Sequence, residues 1–422
     1  MSTRLEAWLE GQHAGQFVFD NDDTVRFDYD EHAPQTPISL SLPRDGSATK
    51  RAAANFLDNL LPDHAATRAR MAHTYGATST STADLLAKAG GDVAGGLLIL
   101  PEGETAPTGP VSLNPALDRD IADRINSIKL DPDAWAPRDL PARFSLAGTQ
   151  GKFAIVLMDG EWYWSNAGAP STHIIKPGRP TLRNVEAAEA AALTLASNAG
   201  VPAAAARVLC VEDQSAFIIE RFDREPRSHL LSRRLLAEDL AQALGVGPDS
   251  KYDVSARQVT QLLGTVDADG EIVRGFLRQL VFNIVVGNAD AHSKNYSILL
   301  RQDGVRLAPL YDVVPVGLYS EFNQQLAMRI AGAHYPQAAT APHWRKLARS
   351  IGFDEDEMTS IVNEVAENVA ELNDAAWDTL DHDQATLLRQ IVARNADTML
   401  AKPTTHPGSG TNGGSPGATA GP

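Results

Sequence analysis

The sequence predicts an α+β protein with two lobes and a smaller α+β subdomain at its N-terminus. From Phe144 to Asp223, short apolar runs alternate with turn residues, which indicates a sheet-rich lobe with one helix. From Leu231 to about Met399, apolar residues recur mostly at helical spacing, which indicates a helical lobe. The first hundred residues mix both patterns. A sheet-rich lobe followed by a helical lobe predicts a cleft between the two.

Composition narrows the class of protein. The chain of 422 residues carries 37 basic and 53 acidic side chains, so its formal net charge is −16. A field of that sign disfavours binding of nucleic acid or anionic membrane through overall charge, although it leaves room for a local basic patch. The single cysteine, Cys210, excludes an intramolecular disulfide framework and a cysteine-rich zinc site. Neither a secretion signal nor an apolar run of membrane-spanning length is visible, so we expect a soluble, cytoplasmic protein.

Local composition divides the chain into five segments. Gly, Pro and Thr are dense from Pro101 to Pro115, which is typical of a linker, and half of the residues from Pro403 to Pro422 are Gly or Pro. The predicted segments are an N-terminal α+β subdomain (1–105), a linker (106–140), a sheet-rich lobe (141–224), a helical lobe (225–401) and a disordered tail (402–422).

Individual elements follow from local periodicity. In the N-terminal subdomain, alternation predicts strands at Leu5–Leu9 and Gln16–Asp20, and apolar spacing predicts helical structure between Lys50 and Ala72. In the sheet-rich lobe, Asp159-Gly160 predicts a hairpin turn. Asn184 is expected to cap a helix that runs to about Ala199 and ends on Gly200.

The strongest chemical signal is the order of three polar residues in the helical lobe. Asp290 follows an apolar helix, Asn295 comes five residues later, and Asp312 follows a predicted hairpin. Protein kinases use this order: one Asp accepts the proton of the attacking hydroxyl, the Asn holds a metal, and the second Asp holds the metals against the phosphates. Carboxylate and amide oxygens suit Mg²⁺. The order predicts metal-assisted phosphoryl transfer on a protein-kinase-like fold.

Features of the sheet-rich lobe support the same interpretation. Lys176 ends a strand before the Asn184 helix, which carries Glu186 and Glu189, and kinases pair a strand lysine with a glutamate of the next helix. The segment Ser145–Lys152 precedes the first strand, where a phosphate-covering loop is expected, although it is not a G-x-G-x-x-G string. The segment Glu220–Asp223 ends the lobe as a hinge would, and we expect its backbone to meet the adenine edge.

Several of these residues also have ordinary structural explanations. His292 can be a loop histidine bonded to backbone, and Lys294 can be solvated or can stabilise phosphoryl oxygens. A metal-dependent phosphohydrolase using His292 with Asp290 and Asp312 is another interpretation, but it needs more histidine ligands nearby than the sequence supplies.

A set of sequence motifs extends over both lobes and the N-terminal subdomain. The motifs are Ser145–Lys152 (SLAGTQGK), Thr172–Lys176 (THIIK), Ile219–Arg224 (IERFDR), Ala237–Gly245 (AEDLAQALG), Gly287–Ser297 (GNADAHSKNYS), Leu307–Val313 (LAPLYDV), Ile38–Pro43 (ISLSLP), Asn55–Asp63 (NFLDNLLPD) and Val93–Pro101 (VAGGLLILP). In these motifs the chain resembles the HipA family, the serine/threonine-kinase toxins of bacterial toxin–antitoxin modules. The resemblance covers nearly everything except the tail.

The resemblance implies an ATP- and Mg²⁺-dependent kinase whose site residues are carried over by position. They are the catalytic base Asp290 with the catalytic-loop residues His292 and Lys294, the Mg²⁺ ligands Asn295 and Asp312, the phosphate-binding Lys176 with Glu189 in preference to Glu186, the nucleotide-loop residues Gly148, Thr149 and Gln150, the hinge residues Glu220 and Phe222, and Ser145 as the site of autophosphorylation.

The family's biology supplies further expectations. Autophosphorylation of the loop serine switches the kinase off, and an added charge of about −1.5 to −2 at Ser145 would eject the loop from a site for ATP phosphates. The family phosphorylates proteins of translation, typically aminoacyl-tRNA synthetases, and arrests growth. Its partner is a small HipB-like helix-turn-helix antitoxin that binds operator DNA.

Two departures from the family pattern remain. The segment Leu231–Glu238 lacks the histidine that often precedes the Glu238-Asp239 pair, and no ordinary kinase activation segment follows Asp312, which the family also lacks. A catalytically silent regulator that holds an antitoxin–DNA complex is the alternative function. The presence of Lys176, Asp290 and both metal-ligand candidates argues against it, because pseudokinases usually lose one such group.

Overall fold

The structure is a computed structural model that describes residues 3–20, 24–135, 144–179, 181–227 and 229–400, with Leu230 described by its backbone alone. The predicted tail (402–422) and the end of the predicted linker lie outside the described residues. Within the described ranges, no helix has the length and apolar character needed to cross a bilayer.

The N-terminal subdomain is a four-stranded antiparallel sheet, in the order β3-β2-β1-β4, packed against three helices. Its elements are β1 (Thr3–Leu9), β2 (Gln12–Phe19), β3 (Val25–Tyr29) and β4 (Leu97–Pro101), with α1 (Ala52–Asp58), α2 (Ala65–Tyr75) and α3 (Thr82–Ala89). Glu10 and Gly11 both have positive φ, which matches the twist of the β1–β2 hairpin.

The continuous helical structure predicted between Lys50 and Ala72 is wrong, because α1 ends at Asp58 and α2 begins at Ala65. Pro62 lies between them and has no N–H to continue a helical ladder. The intervening segment, Asn59–Asp63, instead extends to the cleft between the lobes, where it forms several of the contacts described below. We call it the α1–α2 connector.

The sheet-rich lobe is a six-stranded antiparallel sheet in the order β5-β7-β6-β8-β10-β9. Its elements are β5 (Asn114–Pro115), β6 (Phe153–Met158), β7 (Glu161–Trp164), β8 (His173–Pro177), β9 (Ala206–Val211) and β10 (Gln214–Glu220), with α4 (Asp118–Leu130) and α5 (Val185–Asn198). Asp159 and Gly160 have φ values of 50° and 87° and form the predicted β6–β7 turn.

Two helices, rather than the one predicted, cover this sheet. Side chains along β10 alternate between them: Ile218 packs in a cluster with α4, and Phe217 packs in the cluster that contains α5. The prediction that 106–140 is a linker therefore fails for α4, which buries Ile121 and Ile125 against the lobe. The Pro and Gly residues just before α4 favoured the prediction of a linker, although the isoleucines of α4 recur at helical spacing.

The helical lobe contains a small hairpin, a three-stranded sheet and six helices among its described residues. Its elements are β11 (Arg224–Arg227), β12 (Leu230–Arg234), β13 (Ala237–Asp239), β14 (Ser297–Arg301) and β15 (Gly304–Leu307), with α6 (Leu240–Ala243), α7 (Ala256–Gly264), α8 (Glu271–Val285), α9 (Ala341–Ile351), α10 (Glu355–Ala376) and α11 (His382–Leu400).

The sequence predicted the C-terminal end of α5 correctly but not the way its N-terminal end is capped. At the C-terminus, Gly200 has φ 83° and donates to Ser197, and Val201 donates to Ala196, as expected for a helix that ends on glycine. At the N-terminus, Asn184 holds the cap position but its side chain makes no cap bond. Its amide donates instead to Asp381 and Gln384 near the start of α11, so the predicted capping role is wrong.

Candidate active site

A buried lysine links the two lobes at the base of the cleft. Lys176, on β8, places its Nζ 2.8 Å from Glu189 Oε1 on α5 and 2.5 Å from Asp312 Oδ1 in the helical lobe. Glu189 rather than Glu186 makes this contact, and Glu186 accepts from Ser215 instead. The role of Glu189 in nucleotide binding stays a prediction. Burial opposes the charged ammonium, but the two carboxylates outweigh it and raise the pKa of Lys176.

Asp312 is held ionised and close to Asn295. Burial alone would raise the pKa of Asp312, but Lys176 and Lys152 hold it well below its usual range. Asn295 Nδ2 donates to Asp312 Oδ2, and Asn295 Oδ1 accepts from the backbone N–H of His292 at 3.1 Å. Asp312 has φ 56°, in the left-handed region that Asp tolerates better than most residues. The loop thus brings the two predicted metal ligands into contact.

Asp290 is the exposed carboxylate of this group. Its Oδ1 accepts a hydrogen bond from Tyr252 Oη at 2.9 Å. Asp290 reaches solvent at the cleft, but partial desolvation by the cleft walls and the nearby Asp312 raise its pKa, while Tyr252 and Lys251 oppose the rise. His292, two residues along the loop, is buried, and its Nδ1 has no hydrogen-bond partner among the described residues. Burial and Lys251 lower the pKa of His292 to about 3, so the ring is neutral near pH 7.

The α1–α2 connector anchors the catalytic loop. Lys294 is buried rather than solvated, and its Nζ lies 2.7 Å from Asn59 Oδ1, 3.0 Å from Asn59 O and 3.4 Å from Asp239 Oδ2. Asp63 Oδ2 lies 2.7 Å from Lys251 Nζ. The ammonium of Lys294 therefore joins the helical lobe to the N-terminal subdomain, and its predicted catalytic role stays a prediction.

The same connector holds the predicted nucleotide loop. Ser145 is fully buried, and its hydroxyl donates to Leu60 O at 2.7 Å. Asp63 N–H donates to Gly148 O at 3.1 Å. Gly148 has φ 104°, and a Cβ there would lie 2.9 Å from the Nζ of Lys152, so a side chain would strain the loop and crowd that amine. Hydrogen bonds with Leu60 and Asp63 of the N-terminal subdomain thus hold the loop at the cleft.

Lys152, the last residue of this loop, is buried like Lys176 of β8. Its Nζ donates to Ala147 O at 2.7 Å. Burial and the charge of Lys176 lower its pKa to about 8. Gln150, at the end of the loop, donates to Pro177 O at 3.2 Å, which ties the loop to β8.

The predicted hinge passes between the lobes at the other side of the cleft. Glu220 ends β10 with an exposed carboxylate, and the ring of Phe222 lies 5.3 Å from that of Tyr311. Behind the hinge, Arg221 and Asp223 form a buried ion pair at 2.7 Å. The hinge backbone is thereby fixed, while Phe222 presents an aromatic face to the cleft.

Nearly all predicted site residues meet in one cleft. Glu189 and Ser145 lie behind its wall, where they bond Lys176 and the α1–α2 connector respectively. The remaining predicted residues line it: Gly148, Thr149, Gln150, Lys176, Glu220, Phe222, Asp290, His292, Lys294, Asn295 and Asp312.

Sequence reasoning missed several cleft residues. Asp63, Lys251 and Tyr252 line the cleft but belong to segments that are distant in sequence from every catalytic motif. Asp63 ends the string Asn55–Asp63, which carried part of the family resemblance, and only that string could have drawn attention to it. Lys251 and Tyr252 belong to none of the strings that carried the resemblance.

The donor set fits a nucleotide with Mg²⁺. Asp312 supplies an ionised carboxylate and Asn295 an amide within hydrogen-bonding distance, and Mg²⁺ takes few protein ligands of this oxygen type. Lys176 and Lys152 supply buried positive charge suited to phosphates. A phosphohydrolase would need further histidine ligands beside His292, but His173 is on β8 against Trp162 and His229 pairs with Asp159.

Comparisons with known proteins identify the family of the chain. The family model of the HipA-like C-terminal domain matches residues 144–372, and that of the HipA N-terminal domain matches residues 5–100. The chain is 32% identical over 398 residues to the Y4mE protein of Sinorhizobium fredii, covering 87% of this chain and 91% of that protein. It is 28% identical over 424 residues to the serine/threonine-protein kinase toxin HipA of Shewanella oneidensis, covering 94% of each.

A solved structure extends the comparison to the whole fold. Shewanella oneidensis HipA, in a complex with HipB and its operator DNA, matches with a TM-score of 0.81 and 26% identity over 94% of this chain and 97% of that one. The two lobes and the Lys176–Glu189–Asp312 cluster thus define a protein-kinase-like α+β fold. The chain belongs to the HipA family, in both its N-terminal and its C-terminal domains.

Proposed function

We propose that this protein is an ATP- and Mg²⁺-dependent serine/threonine protein kinase that acts as the toxin of a toxin–antitoxin module. The observation that carries the proposal is the contact of Lys176 with both Glu189 and Asp312, beside the exposed carboxylate of Asp290. A silent relative would have no need to keep a strand lysine, a helix glutamate and two separated aspartates in these positions.

Each residue has a role in the proposed reaction. Lys176, oriented by Glu189, would hold the nucleotide phosphates. Asn295 and Asp312 would hold Mg²⁺, and the ion would supply positive charge to neutralise the phosphate oxygens. Asp290 accepts the proton of the acceptor hydroxyl while that oxygen bonds to the γ-phosphorus and ADP leaves. Burial and the charge of Asp312 raise the pKa of Asp290, which makes its carboxylate a stronger proton acceptor than an ordinary aspartate.

Family membership supports further proposals about regulation and partners. We propose Ser145 as a site of autophosphorylation that switches the kinase off, an aminoacyl-tRNA synthetase as the class of substrate, and a HipB-like antitoxin that links the protein to operator DNA. HipB and operator DNA accompany HipA in the matched Shewanella oneidensis complex. An acidic toxin is suited to leave the contact with DNA to such a partner.

The first experiment is incubation of the full chain with Mg²⁺-ATP, followed by intact mass measurement and peptide mapping. We expect phosphate on Ser145 in the wild type and none in Asp290→Asn. Asp303→Asn, which changes an exposed aspartate of the β14–β15 turn, is the matched control and should behave as the wild type. Nucleotide binding without phosphate transfer would favour the silent regulator, and absence of nucleotide binding would contradict the kinase proposal.

A further inference from the structure

A tyrosine outside every kinase motif contacts the proposed catalytic base. Tyr252 lies in the segment before α7, lines the cleft and is 50% exposed. Its hydroxyl donates to Asp290 Oδ1 at 2.9 Å. Asp290 Oδ2 makes no hydrogen bond to any residue that the structure describes. One oxygen of the base is therefore occupied by protein, and the other is open at the mouth of the cleft.

The position of Tyr252 is fixed by contacts on three sides. The preceding residue, Lys251, pairs with Asp63 of the α1–α2 connector at 2.7 Å. Ser293, in the catalytic loop, donates to Lys251 O through its hydroxyl at 3.0 Å and its N–H at 3.3 Å. The tyrosine ring meets the ring of His292 edge-on, with centroids 5.1 Å apart. These contacts tie Tyr252 to the loop that carries Asp290.

We propose that Tyr252 is a positioning residue for phosphoryl transfer, which holds Asp290 by Oδ1 and so presents Oδ2 to the acceptor hydroxyl. This inference rests on the proposed function. In the step it supports, the acceptor O–H bond breaks and its proton passes to Asp290 Oδ2. The acceptor oxygen bonds to the γ-phosphorus, and the bond to the bridging oxygen breaks, with its electrons leaving on ADP.

Tyr252 is better explained by this role than by stability. Half of the residue faces solvent, so it adds little to the core, whereas its polar tip meets a carboxylate. A hydrogen bond to a carboxylate favours the charged form, which is the form able to accept a proton. The other charged groups that act on Asp290 are Asp312 and Lys251, and neither is a hydrogen-bond donor to it in the described residues.

The test compares Tyr252→Phe with the wild type in two measurements. The first is the rate at which the full chain incorporates phosphate from Mg²⁺-ATP, as a function of ATP concentration. We expect the maximal rate to fall about tenfold, since a hydrogen bond to a charged group is lost, while the apparent KM for ATP changes less than about twofold. Tyr335→Phe, which alters a partly exposed tyrosine outside the cleft, should match the wild type.

The second measurement does not need kinase activity. The carboxyl carbon of Asp290 is titrated by ¹³C NMR in aspartate-labelled protein, with its signal identified by its loss in Asp290→Asn. We expect a higher midpoint in Tyr252→Phe than in the wild type or Tyr335→Phe. Wild-type rate and wild-type midpoint in Tyr252→Phe would overturn the inference. If the wild type transfers no phosphate, the proposed function fails. In that case the titration still tests Tyr252, because an Asp290 midpoint that is the same in Tyr252→Phe as in the wild type would overturn its positioning role.

Discussion

Glu238 is a buried carboxyl group that belongs to none of the proposed catalytic roles. It lies on β13 with 2% of its surface exposed, and its Oε1 accepts from the backbone N–H of Leu40 at 2.8 Å. Burial raises its pKa to about 8, opposed by hydrogen bonds to Ser39 and Leu40. The bond from Leu40 joins the N-terminal subdomain to the helical lobe, and burial makes the protonated form of Glu238 the more stable one in the folded protein.

Replacement of Glu238 by glutamine is expected to change the pH dependence of stability. A carboxyl whose pKa is raised by folding stabilises fully below its unfolded value of 4.5, and this contribution is lost as pH rises toward 8. Glu238→Gln keeps an acceptor for Leu40 and removes the ionisation. We expect the Tm of Glu238→Gln minus the Tm of the wild type to increase by about a few degrees when the pH is raised from 5 to 8.5.

Thermal unfolding by circular dichroism at the two pH values measures this difference. Glu367→Gln, an exposed glutamate of α10, is the control and should follow the wild type at both. A Tm difference between Glu238→Gln and wild type that does not vary with pH would show that Glu238 is not ionising in this range.

At the level of single residues, motif order and family resemblance identified the main groups. Lys176, Asp290 and Asp312 come from three separate elements, and their order along the chain was enough to predict that they meet. The choice of Glu189 over Glu186 depends on how α5 is rotated against the sheet, which helical spacing does not determine. The bond of Lys294 to Asn59 could not be predicted, because it joins residues 235 positions apart.

Among the structural elements, the nucleotide loop offers the sharpest prediction. Ser145 is fully enclosed, and its hydroxyl bonds to Leu60 of the α1–α2 connector. A negative charge there would face the carbonyl oxygen of Leu60, which cannot donate a hydrogen bond to it, and burial of an unpaired charge costs several kcal/mol. We expect Ser145→Asp to release the loop and to weaken nucleotide binding at least tenfold, whereas Ser145→Ala loses only one neutral bond of about 1 kcal/mol.

Hydrogen exchange and nucleotide titration together measure this effect. In Ser145→Asp, the amides of residues 145–152 should exchange faster than in the wild type, and in Ser145→Ala they should remain close to it. Equal nucleotide affinity and equal exchange in both variants would mean that the loop accommodates the charge, and the proposed off-switch at Ser145 would lose its physical basis.

The secondary structure was predicted best at turns and helix ends whose conformation is determined by one or two neighbouring residues. The Asp159-Gly160 turn and the end of α5 at Gly200 depend on residues that favour positive φ by themselves. The break between α1 and α2 was missed because apolar residues continue through it. Leu60 and Leu61 lie after the end of α1 but are still buried in the core. Their spacing from Phe56 and Leu57 therefore matched a helical pattern although this segment is not a helix.

For the molecule as a whole, the hydrophobic core joins the three parts more tightly than the sequence suggested. One apolar cluster runs from Leu5 in the N-terminal subdomain through α5 to Met399 in α11. The predicted boundaries separate the N-terminal subdomain (1–105) from the two lobes by a linker. The structure instead shows that this subdomain supplies Asn59 and Asp63 to the cleft, so its removal would expose both loops of the site.

A buried ion network makes the second connection between the N-terminal subdomain and the sheet-rich lobe. Asp92 lies 2.9 Å from Arg224, and Asp223 lies 2.7 Å from Arg221 and accepts from the backbone N–H of Gly95 at 2.7 Å. Burial would raise the pKa of Asp223, but the two arginines hold it at about 2. Because an unpaired buried charge is costly, this network should depend on every member.

Replacement of Asp223 by asparagine should therefore destabilise the whole molecule at neutral pH. The stabilising contribution of a depressed carboxyl is present above its unfolded value of 3.8 and is lost as pH falls through about 2. We expect Asp223→Asn to cost about 3 to 5 kcal/mol at pH 7, because Arg221 and Arg224 lose a buried partner. The Tm gap to the wild type should be widest at pH 7 and narrow by pH 2.5, with Asp303→Asn unchanged throughout. A constant gap would mean that asparagine disturbs packing rather than charge, and that the subdomains are joined by their apolar core alone.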